Sequence, residues 1–341
     1  AFGSFLTVFA LFLLGILNLL NAYSAIILLC LFICLSFKEI VAFIKICLED
    51  HEIPMPAWPF LTLLLSFVGI NLLELLRPIP IGWDDLNFYQ NTAKLIADTG
   101  TVSSGMPHPW ELFMSLGYFV PNFFGATGAS GAMLLSFLGA IIGLFALFSL
   151  LKKLLPESGY IPFLLVTLFY TMPSVFFQSA IDTKIDLPLF GIIACAILAY
   201  TIWKENKKTT FLFISTLLFG FALSIKFTAA FAVVPFGILI LFDLYKLGQW
   251  RERIYTGVLC ALLLILPITP WLMNNISSAE KLSTYSVFFG QSQSPDIYKG
   301  FDKAQININK NTTPLKAVPT APLKQTSKYE ELTQYIGYTK G

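Results

Sequence analysis

The chain has 341 residues, of which 56% are hydrophobic and only 12% are charged, and its formal net charge is +2. A charged share about half that of an ordinary soluble domain cannot clothe a water-facing surface of this size, which excludes a soluble enzyme. A charge balance so close to zero also speaks against nucleic acid as a partner. No HExxH, Walker-type or glycine-rich phosphate loop is present, so soluble-type metalloproteases, kinases and hydrolases are unsupported. The five cysteines (Cys30, Cys34, Cys47, Cys195, Cys260) lie in or beside apolar runs. They read as small hydrophobes and not as a disulfide framework.

A spanning helix takes roughly 20 apolar residues. In chain order the hydropathy pattern predicts spans near 4–20, 22–37, 58–76, 128–151, 160–178, 187–203, 210–225, 227–245 and 254–273, about nine in all. Asn18 and Asn21 mark the turn between the first two, and Pro54, Pro56 and Pro59 punctuate the third. If the spans alternate, ten basic residues share one side: Lys38, Lys45, Lys152, Lys153, Lys204, Lys207, Lys208, Lys246, Arg251 and Arg253. Only Arg77, Lys94, Lys184 and Lys226 occupy the other before residue 274. The positive-inside rule makes the first side cytoplasmic. The plasma (inner) membrane is the expected location. The loop 77–127, the connection 179–186 and the region from 274 onward then face outward.

The fold class is therefore an all-α, polytopic helical bundle over residues 1–273. A polar tail or loop over 274–341 follows, with a short helix near Ser327–Tyr335. Two segments of the outer loop are expected to lie in the membrane interface. One is a helix from Leu86 to about Ala97 that ends at Gly100. The other is 109–124, whose Trp110, Phe113, Tyr118 and Phe119 suit an aromatic belt.

Charged groups near a bilayer are costly and mark functional positions. The stretch Arg77-Pro-Ile-Pro-Ile-Gly-Trp-Asp-Asp places Asp84 and Asp85 where a span ends and an outer helix begins. Asp85 reads either as the cap of that helix or as part of an acidic site. Asp182, Lys184 and Asp186 sit in the connection 179–186 at the same face, either capping the next helix or forming an acid/base cluster. Lys226 stands alone at an outer turn, where a lysine either snorkels to the headgroups or binds a fixed anion. His108 is the outer member of only two histidines, too few for a zinc site.

Four places together resemble the GT-C superfamily of membrane glycosyltransferases. They are Trp83-Asp84 with Phe88 and Gly100, Asp182-Thr-Lys-Ile-Asp186-Leu-Pro, the turn from Gly220 to Thr228, and Pro270-Trp271 with Asn274. The order agrees over about 70–275. The chain departs from many relatives in carrying Phe88-Tyr89 where they have Tyr-His. The resemblance implies a polyprenyl-phosphate-linked sugar donor held in membrane lipid, and a glycan, lipid or protein acceptor. It further implies inverting transfer on the outer face. Asp84 and Asp85 would be the catalytic carboxylates, and Asp84 would either take the acceptor proton or hold a divalent metal, Mg or Mn. Lys184, Lys226 and Arg77 would face the phosphate, with Asp182, Asp186 and His108 completing the substrate site. A transporter or lipid-linked sugar flippase is the alternative, but those place charge near the bilayer midplane, where this chain has almost none.

Overall fold

A computed structural model describes residues 1–48, 53–102, 107–120, 127–246 and 250–278, and every element in it is helical. In chain order these are α1 (Phe2–Ile16), α2 (Ala22–Leu35), α3 (Phe37–Leu48) and α4 (Trp58–Leu75). A turn of π-helix at Asp85–Tyr89 leads into α5 (Gln90–Thr99), followed by α6 (Pro109–Phe119) and α7 (Gly128–Leu154). Next come α8 (Ile161–Thr171), α9 (Pro173–Ala180), α10 (Asp186–Asn206) and α11 (Thr209–Ile225). The last are α12 (Ala230–Tyr245), α13 (Trp250–Ile265) and α14 (Thr269–Ser278). The tail from 279 onward, including the helix expected near Ser327–Tyr335, lies outside the described residues.

Seven of the expected spans fall on single apolar helical stretches, and 160–178 and 254–273 each fall on a bent pair of helices. By length and hydropathy four stretches suffice to cross a bilayer: Met55–Leu75, Gly128–Leu154, Asp186–Asn206 and Phe227–Tyr245. Two more crossings arise if the bent pairs α8–α9 (67°) and α13–α14 (56°) each count as one span. The helices α1, α2 and α11 are shorter, at 15, 14 and 17 residues. The bends have a simple cause. Pro173 opens α9 and forces Met172 into an extended conformation (ψ 130°), which breaks the α8 ladder. Pro267 and Pro270 act between α13 and α14. Asn21 caps α2 and Ser24 returns the bond, which fixes the turn out of α1.

Two apolar cores meet along α7 and α10. One unites α1, α5, α6, α10 and α11 around Phe12, Trp110, Trp203, Phe219 and Phe221. The other joins α4, α7, α8 and α9 around Leu75, Met133, Val166 and Tyr170. Between them, Gly139 and Gly143 of α7 face Gly191 of α10 so closely that a methyl group on Gly191 would strike the Gly139 carbonyl. Small residues four apart bring helix backbones together in lipid, where association relies on packing.

In the second core Asn71 of α4 is fully buried and donates to Tyr170 Oη (2.8 Å) and Ser179 Oγ (2.5 Å). It ties α4 to both arms of the bent pair. Asn71→Leu removes this tie, and interhelical hydrogen bonds of this kind are worth about 0.6–2 kcal/mol. A lower thermal unfolding midpoint in detergent is expected; an unchanged midpoint would mean that the tie carries no stability.

The aromatic segment at 109–119 requires a correction. It forms the predicted helix, α6, but its aromatics do not form a belt against headgroups. Every residue from Pro109 to Gly117 is buried, Trp110 and Met114 completely. The helix lies inside the protein against α1, α2, α5 and α7. The apolar face of α5 likewise packs on α6 through Ala93 and Ile96 and does not face lipid. Residues 121–126 of the expected segment lie outside the described residues.

The two ends of the bundle differ in chemistry. At one end Lys153 pairs with Glu205, and Lys204 with Asp243 (2.9 Å), among the basic loops. At the other end the acids of the 77–90 segment meet those of the 181–186 connection.

Candidate functional site

The site is built where α4 ends. Arg77 is a clamp: its guanidinium donates to the carbonyls of Ala180 (2.7 Å), Ile181 (2.9 Å), Ile79 (3.1 Å) and Glu74 (3.3 Å). Ser130 Oγ donates to the Arg77 carbonyl (2.6 Å) and Thr127 Oγ1 to that of Pro78 (3.0 Å), which adds the start of α7. Arg77 therefore secures the 181–185 connection against α4, a scaffold role in place of the expected phosphate contact. Burial lowers its pKa, and Asp85 and Glu74 oppose the shift.

The chain then passes Gly82, where a Cβ would lie 2.7 Å from Asp182 Cα. Only glycine allows this approach, and it brings the two acidic segments into register. Asp85 is fully buried and accepts from both Thr183 N–H (2.9 Å) and Thr183 Oγ1 (2.8 Å). The capping role expected of Asp85 is not observed, because its carboxylate makes no bond to its own helix. It anchors a loop about a hundred residues away in the chain. Burial pushes its carboxyl up to about 6; Asp182 adds to the rise, while the Thr183 bonds and Arg77 oppose it.

With the loop fixed, Lys184 lies 2.6 Å from Asp84 and 3.1 Å from Asp182. These hydrogen bonds raise the pKa of the lysine. Asp84 remains partly exposed, whereas Asp182 is buried and one of its oxygens finds no hydrogen-bond partner. Lys226, at the turn between α11 and α12, lies 2.6 Å from Asp186. This replaces both bland expectations: Lys226 does not snorkel away, and Asp186, first residue of α10, does not cap it. Tyr89 stands among these groups. Burial and the charges of Asp186, Glu111 and Asp84 push its phenol up to about 12, and Lys184 opposes them.

His108 ends the 107–108 approach to α6. Its Nδ1 lies 3.4 Å from Glu111 Oε1, and its ring is 5.5 Å from that of Phe88. Sequence reasoning overlooked Glu111, Thr183 and Tyr89; for Glu111 the available signal was a carboxylate inside an otherwise apolar helix.

A divalent ion caged by protein ligands does not fit this arrangement. Among the described residues no three His, Cys, Asp or Glu side chains converge on one point. The carboxylate of Asp84, the expected metal ligand, is engaged by Lys184 instead.

The arrangement thus offers a solvent-reaching carboxylate, two paired cations and a phenol at one end of a membrane bundle. Residues 113–271 match the model of the dolichyl-phosphate-mannose-protein mannosyltransferase family. With the helical fold, the match over this stretch supports a multi-pass membrane glycosyltransferase of the GT-C type. Asp182, Lys184, Asp186 and Lys226 lie within the matched stretch, while Asp84, Asp85, His108 and Glu111 precede it. No curated protein and no solved structure matches the chain.

Proposed function

We propose that the protein transfers a sugar from a polyprenyl phosphate to an acceptor hydroxyl on the outer face of the plasma membrane, with inversion. The observation that carries this reading is the meeting of Asp84, Lys184 and Asp182 at the end of the bundle opposite the basic loops. Asp84 is the general base. It takes the acceptor proton as the acceptor oxygen bonds to the anomeric carbon, and the bond to the phosphate oxygen breaks with its electron pair staying on the phosphate. A single displacement of this kind inverts the anomeric centre.

The departing phosphate gains charge, so a cation beside it stabilises the transition state more than the ground state. Lys226 suits this task better than Lys184. It is held by one carboxylate against two and stands at an outer turn. An arriving phosphate can displace Asp186 from it, while Lys184 stays between Asp84 and Asp182 and orients the base.

The test is transfer by the purified protein in liposomes, supplied with a polyprenyl-phosphate-linked sugar and scored by release of polyprenyl phosphate. Lys226→Gln is expected to raise donor KM and lower kcat, the losses together reaching about tenfold to hundredfold in kcat/KM. That matches the roughly 1.5–3 kcal/mol of a charged hydrogen bond. Lys184→Gln is expected to lower kcat with little change in KM. If neither variant departs from the parent, the assignment of the lysines is wrong. If no lipid-linked sugar supports turnover, the donor class is wrong.

A further inference from the structure

Glu111 is a buried acid of this end that the scheme above leaves unused, and its setting is unusual. It lies on α6, is 1% exposed, and its Oε2 has no hydrogen-bond partner. A glutamate and histidine three residues apart are common on helix surfaces, where they contribute little. Here the pair faces inward. A buried carboxylate without compensation costs several kcal/mol, so its retention calls for a countercharge.

The neighbouring cations are already engaged. Lys184 is closed on Asp84 and Asp182, and Lys226 on Asp186. Among the described residues His108, at 3.4 Å, is the cationic partner beside Glu111. The contact is long, as such contacts often are before substrate tightens them. Glu111 also belongs electrostatically to the site, since its charge reaches Tyr89 together with those of Asp186, Asp84 and Lys184. The ring of Phe88, 5.5 Å from that of His108 and 5.4 Å from that of Tyr89, joins the dyad to the 84–89 segment.

We propose that Glu111 is a positioning residue: it holds the His108 ring through Nδ1–H, so that Nε2, a donor in the imidazolium form, is presented to the phosphate of the lipid donor. The substrate-facing half of this assignment rests on the donor reading above; the hold of Glu111 on His108 does not. Only Nδ1 is committed to the carboxylate, so Nε2 keeps a fixed direction whether it donates as imidazolium or accepts as the neutral ring. The ring of Phe88 limits its rotation.

The chain has only two histidines, His51 and His108, so a His51→Asn protein carries a single reporting imidazole. Nitrogen NMR of histidine-labelled His51→Asn protein in detergent would follow its tautomer. Adding Glu111→Gln is expected to remove the preference of the neutral ring for Nδ1–H. Glu111→Asp, which keeps the charge on a shorter arm, should fall between the two and guards against a fold too damaged to read. In the Glu111-containing protein a short-chain polyprenyl monophosphate should shift the Nε2 signal. Identical tautomer populations with and without Glu111 would overturn the proposal. An Nε2 signal unmoved by a polyprenyl monophosphate that still binds in a Lys226-dependent way would overturn it too, while leaving the donor class standing. Complete absence of binding would overturn both.

Discussion

Asp84→Asn is expected to cut sugar transfer by about 10²–10⁴-fold, the range typical of losing a general base. The amide keeps the shape of the carboxylate and can still accept from Lys184, but it cannot take a proton from an acceptor hydroxyl. Because Lys184 also has Asp182 at 3.1 Å, the ion pair is not left without an anion and the fold should hold. Donor KM should therefore move little and the thermal midpoint should stay in place, with the loss confined to kcat. Turnover at the parent rate would remove Asp84 from the mechanism.

The second large effect is expected at Asp85. A helix cap contributes only about 0.5–2 kcal/mol and could be lost without much consequence. Asp85 instead accepts two bonds from Thr183 and so sets the loop that carries Asp182 and Lys184. Its carboxyl titrates near 6, so at pH 7 about ten ionised sites stand against each protonated one. Below pH 6 the group gains a proton and loses an acceptor, and the loop loosens. Transfer should fall on the acid side with a midpoint near 6. Asp85→Asn should lower the plateau about tenfold or more and erase that acid limb, since its amide matches only one of the two Thr183 donors.

Stability runs the other way. The folded-state pKa is raised from 3.8 to about 6, so the folded protein binds this proton more tightly than the unfolded chain. The contribution of Asp85 to stability is complete below about pH 4 and is lost as pH rises through 6. Between those values the parent should become less heat-stable as it becomes more active, and Asp85→Asn should show neither slope at this site. An acid limb that survives in Asp85→Asn would assign it to another group.

Much of the architecture was legible because apolar length and proline position are local properties. The turn at Asn21 and the clustering of acids around 84 and 182 could be read along the chain, whereas the breaks at Pro173 and Pro270 fall inside stretches expected as unbroken spans. The direction in which an apolar helix faces could not. Lipid tails and protein cores are equally apolar, so α6 has the composition of an interfacial helix whether it meets headgroups or, as here, neighbouring helices. Partners distant in sequence were equally hidden. Asp85 with Thr183 and Arg77 with Ala180 are separated by about a hundred residues, and nothing in the neighbourhood of either acid or base names its partner. The same gap explains why Lys226 and Asp186 were read singly when they form a pair.

The contact of Gly139 and Gly143 with Gly191 constrains how a long prenyl chain reaches the acids. Side chains between helices act as compressible spacers: they change rotamer and let a seam part. Here the backbones touch, and Pro188 of α10 also stands close to Gly139. No spacer remains to yield, so α7 and α10 form a fixed mast and the isoprenoid tail cannot thread between them. On the proposed reading a lipid-linked donor therefore approaches around the mast, and the seam that holds the two cores together limits the paths open to its tail.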